Sequence, residues 1–171
     1  LNQINDEKPD IILIAGDLLD SSVKAVNRPE IINLLKQLQS KYGTYACLGN
    51  HEYISTNGNI HNTDDFYKKS NIHLLRDQYQ LVDNVYIIGR DDRMNDKRQS
   101  IKQLTDTLNR SKLWIVLDHQ PYNLELAEDA GVDLQFSGHT HQGQLWPISL
   151  ITKALYEKDY GLLEKGSSTF Y

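Results

Sequence analysis

The chain has 171 residues, 39% apolar and 24% charged, with a net charge of −5, which fits a single globular domain over residues 1–171 with a core of its own. No basic run stands out, so binding to a nucleic-acid backbone by bulk electrostatics is disfavoured. No stretch nears the ~20 apolar residues of a membrane span, and no signal-peptide pattern opens the chain.

Residues 1–10 read as a helix end and its turn, with Pro9-Asp10 leading into a strand over Ile11–Ala15. Pro29 starts a helix to about Ser40, with Ile31, Leu34, Leu35 and Leu38 on one face and Gly43 as its C-terminal cap. A strand over Tyr45–Leu48 completes a β-α-β unit, which implies parallel strands and a right-handed crossover. Its Cys47, the lone cysteine, excludes an intramolecular disulfide and reads as a core residue. The polar stretch Tyr53–Asn62 reads as a loop and Thr63–Lys69 as a short helix, with Asp64-Asp65 as charge at its N-terminus. Three short strands follow at His73–Arg76, Tyr79–Val82 and Val85–Gly89, the last two joined by an Asp83-Asn84 turn. Ser100–Asn109 reads as a helix, Leu113–Leu117 as an apolar strand, Leu124–Ala130 as a helix capped by Gly131, and Leu134–Phe136 as a strand. The chain opens on Leu1 rather than Met and stops at Thr169–Tyr171 in what reads as an unfinished strand, so it is expected to be a piece truncated at both ends. Helices alternating with buried strands argue an α/β fold, part of whose sheet is antiparallel.

Four of these strands end in ligand-type side chains: Gly16-Asp17-Leu18-Leu19-Asp20, Gly49-Asn50-His51-Glu52, Asp118-His119 and Gly138-His139-Thr140-His141. Loops at the carboxyl ends of strands in an α/β sheet converge on one edge, so the four strings predict a metal cluster on one rim. Asp17 offers a carboxylate able to bridge two cations. Asp20 can hydrogen-bond a neighbouring imidazole. Asn50 offers a carbonyl oxygen, and His51 beside it suits a proton donor. In extended backbone, residues i and i+2 point the same way, so His139 and His141 can reach one cluster. Taken singly, Gly-Asp-x-x-Asp also fits an N-capped turn and His119 a satisfied core histidine; the conjunction of four strand ends favours ligands. Asp91-Asp92 reads as a solvated turn in preference to a substrate contact, His61 and His73 as surface residues, and Trp114 and Trp146 as packing residues.

With these residues in order, the chain resembles the calcineurin-like metallophosphoesterase superfamily over roughly Asp10 to Pro147. The string Ser137–Gln144 is similar to its bacterial phosphohydrolase branch, which includes membrane-tethered and exported members. The resemblance implies a four-layer α-β-β-α sandwich of two mixed sheets. It implies that Asp17 bridges two divalent metal ions, that Asn50, His119 and His139 complete the second metal's shell, and that His141 binds the first. It further implies a bridging hydroxide nucleophile and His51 as proton donor, oriented by Asp20. The mixed oxygen and nitrogen ligands suit Mn, Fe or Zn. The superfamily's Asp-x-His string is absent from these 171 residues, so the first metal is expected to be weakly held or missing. The partner expected is a small phosphoester, monoester or diester. The compartment stays open, with bacterial cytoplasm or a membrane-associated parent favoured. Two other readings remain: a mononuclear zinc hydrolase using His119, His139 and His141, and a catalytically impaired binding scaffold on the same fold.

Overall fold

In the computed structural model, which describes residues 1–19, 29–55, 61–141 and 148–171, two sheets lie face to face. The smaller is parallel, in the order β1 (Ile12–Ala15), β2 (Thr44–Cys47), β3 (Ile72–Leu74). The larger is mixed. Its strands β4 (Gln78–Val82), β5 (Val85–Gly89), β6 (Leu113–Leu117), β7 (Leu134–Phe136), β8 (Leu163–Lys165) and β9 (Ser168–Phe170) run in the order β4-β5-β6-β7-β9-β8. The β4–β5 and β8–β9 pairs are antiparallel and the others parallel.

Strand periodicity explains the layering, because successive side chains point to opposite faces of a sheet. Leu13, Tyr45, Cys47, Ile87, Ile115 and Leu117 pack in the seam between the sheets. Their neighbours Ile14, Ala46, Ile88, Trp114 and Val116 point outward, under helices. The smaller sheet is covered by α2 (Pro29–Leu35), α3 (Asn50–Ser55) and α4 (His61–Lys69) through Ile31, Leu35, Tyr53, Phe66 and Tyr67. The larger is covered by α5 (Ile101–Thr105) and α6 (Leu124–Ala130) through Ile101, Leu104, Leu124 and Ala127. The result is a helix–sheet–sheet–helix sandwich. At its margins lie α1 (Asn2–Asp6) and α7 (Ile148–Leu155). No helix among the described residues is long and apolar enough to cross a membrane. Cys47 is fully buried in the seam, and burial pushes its thiol well up.

Several boundaries differ from the sequence reading. Helix α2 stops at Leu35, not near Ser40, because the Asn5 side chain captures the backbone beyond it: it donates to Gln37 O (2.7 Å) and accepts from Gln39 N (2.9 Å). Gly43 is therefore no helix cap; it sits at φ +105° on the approach to β2. Residues 53–55, read as loop, close α3, whose Tyr53 is buried under the smaller sheet; six residues are too few to show an apolar period. Helix α4 starts two residues early, at His61, and α5 ends at Thr105 although its Ser100–Gln103 capping box begins it where expected. The terminal strand β9 is hydrogen-bonded on both sides, to β7 and β8. The sequence reading assigned no element to α7 or β8, although α7 carries an amphipathic helical period.

One buried carboxylate fixes the relation of the first two strand ends. Glu52 is wholly excluded from solvent. Its Oε2 accepts from Gly49 N (2.8 Å) and Asp17 N (3.1 Å), and its Oε1 from Leu19 N (3.1 Å) and the Tyr67 hydroxyl (3.0 Å). The turns after β1 and β2 are thus clasped by a single side chain. Replacing Glu52 with Gln turns an –NH₂ toward two of these donors, at about 1–3 kcal/mol for each buried group stranded. Glu52→Gln is expected to lower unfolding stability by roughly 2–6 kcal/mol in urea titrations; an unchanged midpoint would refute the clasp.

Candidate metal centre

The turns clasped by Glu52 bring together side chains far apart in sequence. Asp17 leaves β1 in the left-handed region, at φ +53°, a conformation that costs an L-residue about 1–2 kcal/mol and that Asp tolerates better than most. Its Oδ1 accepts from the His51 backbone N–H at 2.9 Å. Gly16 and Gly49 make the approach possible. A Cβ on Gly16 would lie 2.6 Å from His119 Nδ1, and one on Gly49 would lie 2.1 Å from Asp17 Oδ1. Gly16 is therefore small to admit the His119 ring.

His119 arrives from the other sheet, two residues beyond β6, and is 2% exposed. Its Nδ1 lies 2.6 Å from Ala15 O. A carbonyl oxygen only accepts, so Nδ1 carries the proton and Nε2 of the neutral ring presents a lone pair. That lone pair lies 3.0 Å from Asp17 Oδ2, yet Nε2 has no aligned hydrogen-bond partner. Two electron-pair donors facing each other in a buried place call for a positive charge between them, a proton or a metal ion.

His139 completes the group. Asp17, His119 and His139 each offer a ligand atom within 4.8 Å of the others. The His119 and His139 rings meet edge to face, with centroids 5.3 Å apart. His139 Nδ1 lies 2.8 Å from Asn50 Oδ1, which sets the amide carbonyl beside the imidazole. Electrostatics match this crowding. Burial would raise the Asp17 carboxyl, but contacts with His119 and His51 outweigh it and hold it below the usual carboxylate range. Burial would lower the His119 imidazole, but the Asp17 contact and the Ala15 carbonyl outweigh it and carry it up. The His139 imidazole is pulled down, first by burial and then by the charge of His119.

The remaining sequence candidates stand differently. His51 is 42% exposed, with Nε2 4.0 Å from Asp17 Oδ2, at the rim rather than in the group. His141 is exposed and lies outside the three-residue group, although its charge acts on His139. The i, i+2 argument for the His pair does not hold here, because His139 (φ +68°) and His141 (φ +49°) both adopt left-handed rather than extended backbone. Asp20 and Trp146 lie outside the described residues. Trp114 is a core residue and His73 is exposed.

Sequence reasoning gave Glu52 no role. Its only signal is a charged residue directly after Gly-Asn-His, and its burial depends on where Tyr67 and β1 lie. The Asp91-Asp92 pair is a clear correction: it is buried, not a solvated turn. Asp91 accepts from the Tyr53 hydroxyl (2.7 Å) and pairs with Arg76 (3.3 Å), while Asp92 accepts from Gln120 Nε2 (2.8 Å). Next to His119, Asp118 pairs with Arg90 (2.9 Å) and Arg98 (3.3 Å). Burial raises the Asp118 carboxyl even against these two arginines. The arginines that neutralise these carboxylates lie elsewhere in the sequence, so their burial was not legible locally.

The chain is similar to known proteins over most of its length. An uncharacterized metallophosphoesterase of Helicobacter pylori is 33% identical, over 99% of this chain and 46% of the relative. One of Campylobacter jejuni is 32% identical, over 99% of this chain and 45% of the relative. The chain thus spans about half the length of these relatives. A 5'-nucleotidase precursor from Thermus thermophilus shares the fold, with a TM-score of 0.53 at 17% identity over 82% of this chain and 34% of that one. Residues 1–143 match the family described as calcineurin-like phosphoesterase, and the chain belongs to that family.

Proposed function

We propose that this chain supplies the metal-binding and proton-donating residues of a phosphoester hydrolase. The observation that carries the reading is Nε2 of buried His119, 3.0 Å from an Asp17 oxygen without an aligned hydrogen bond, with Nδ1 committed to Ala15 O. Asp17, His119 and His139 would hold a divalent cation, with Asn50 beside them supplying an oxygen. When bound, such cations acidify a water and stabilise negative charge on the attacking and leaving oxygens of an in-line displacement. In hydrolysis the water oxygen bonds to phosphorus, the bond from phosphorus to the ester oxygen breaks, and the leaving oxygen needs a proton. His51 would give it; its exposed side chain at the rim of the group and its backbone tie to Asp17 support that role. The substrate expected is a small phosphoester, and the charge to hold it would come from the cations rather than from a basic surface.

A dinuclear centre with His141 on the first ion remains the family-based expectation. The described residues hold only one group of ligand-type side chains, Asp17, His119 and His139. That group supports an ion held with a carboxylate in the set rather than by three imidazoles, and without an Asp-x-His string these residues leave a second ion short of ligands.

Two measurements test these roles. After Mn²⁺ loading and dialysis, elemental analysis is expected to find close to one ion per chain, and Asp17→Asn to lose it. Two tightly held ions, or retention by the variant, contradict the ligand assignment. With Mn²⁺ supplied, His51→Ala is expected to slow turnover of an aryl phosphate or its diester by about 10²–10⁴ at unchanged metal content; equal turnover removes His51 as proton donor.

A further inference from the structure

Beside the group lies a cavity of about 450 Å³ that shares a wall with it, a size in the range of small-molecule sites. His139 and His141 form that wall. The opposite sides are Pro121, Leu124, Tyr160, Phe170 and Tyr171, which come from three separate parts of the chain. Leu124 and Phe170 are buried in the core beneath the larger sheet, and Tyr160 and Tyr171 stand exposed at 65% and 57%. The rim is tied to the His pair: Thr140, between His139 and His141, donates to Asp159 O at 2.6 Å, and Asp159 Oδ2 accepts from Thr152 at 3.1 Å.

We infer that this cavity receives the organic group of the substrate, and that the group is a compact apolar or aromatic one. The inference rests on the hydrolase reading and narrows its substrate class. A phosphoester bound through a cation at Asp17, His119 and His139 would bring its phosphorus near the shared wall, so that a substituent on oxygen could enter the cavity. The lining is mostly apolar and aromatic, with Ser137, Thr140, Lys158 and Asp159 as polar members beside the two histidines, so most hydroxyls of a sugar would shed water to enter without regaining partners. Lys158 is the cation in the lining and Asp159 lies next to it. With one lysine and one aspartate, the lining offers little net positive charge for a polyphosphate. A second cavity, about 720 Å³, is lined by Asp64, Lys68, His73, Arg76 and Asp77 and touches none of the three group members.

The test compares 2-phenylethyl phosphate with glycerol 1-phosphate, both esters of primary alcohols, so that leaving-group chemistry differs little. With Mn²⁺ present, kcat/KM is expected to favour the phenylethyl ester by roughly tenfold or more. Tyr160→Ser with Tyr171→Ser, both on exposed side chains, is expected to erase that preference at unchanged Mn²⁺ content. Calorimetry of 1-naphthol on protein without added metal gives a readout free of catalysis: binding is expected, weakened about tenfold in the double variant. Equal kcat/KM for the two esters, together with no naphthol binding, overturns the inference and leaves the hydrolase reading standing. Naphthol binding without turnover of either ester supports the cavity's preference and overturns the hydrolase reading instead.

Discussion

The Glu52 carboxylate, with no solvent contact, is the constraint on which the site depends. It gathers the backbone N–H groups of Asp17, Leu19 and Gly49 and the hydroxyl of Tyr67. A buried carboxylate is tolerable only when its lone pairs are met, and here charge-assisted hydrogen bonds meet them. The same bonds hold the turns after two neighbouring parallel strands at one separation. Asp17 and Asn50 inherit their positions from that clasp. Because Asp17 sits in left-handed backbone, the surrounding turn must hold it there.

The second half of the site comes from the other sheet, and one hydrogen bond joins the halves. His119 Nδ1 to Ala15 O links the end of β6 to the end of β1. It sets the ring's tautomer as well as its place. Behind it, Arg90 and Arg98 grip Asp118, and Asp92 holds Gln120, so the residues on either side of His119 are both anchored. The strand exit is rigid in the way a preorganised ligand requires, with the ring orientation fixed by polar contacts outside the ligand set.

Much of this was legible in the sequence because strand ends in an α/β sheet gather loops on one edge. Asp17, Asn50, His119 and His139 each follow an apolar run, and the runs form β1, β2, β6 and β7. The misses have local causes. Helix α3 is too short to declare a period, and α2 is cut short by a side chain from α1. The His139–His141 geometry failed because the backbone turns left-handed immediately past Gly138. Asp91 and Asp92 looked solvated because their partners, Tyr53, Arg76 and Gln120, are distant in sequence. The apolar cavity was invisible for the same reason, since Tyr160, Phe170 and Tyr171 meet the His pair only once β9 lies beside β7.

The central claim is that the lone pairs of His119 Nε2 and Asp17 Oδ2 face a cation's place. Anomalous diffraction from Mn²⁺-loaded crystals addresses it most directly. The account predicts a peak within coordination distance of Asp17, His119 and His139, with the His119 Nδ1 to Ala15 O hydrogen bond intact. Manganese bound elsewhere, with His119 and Asp17 still in direct contact, would contradict it.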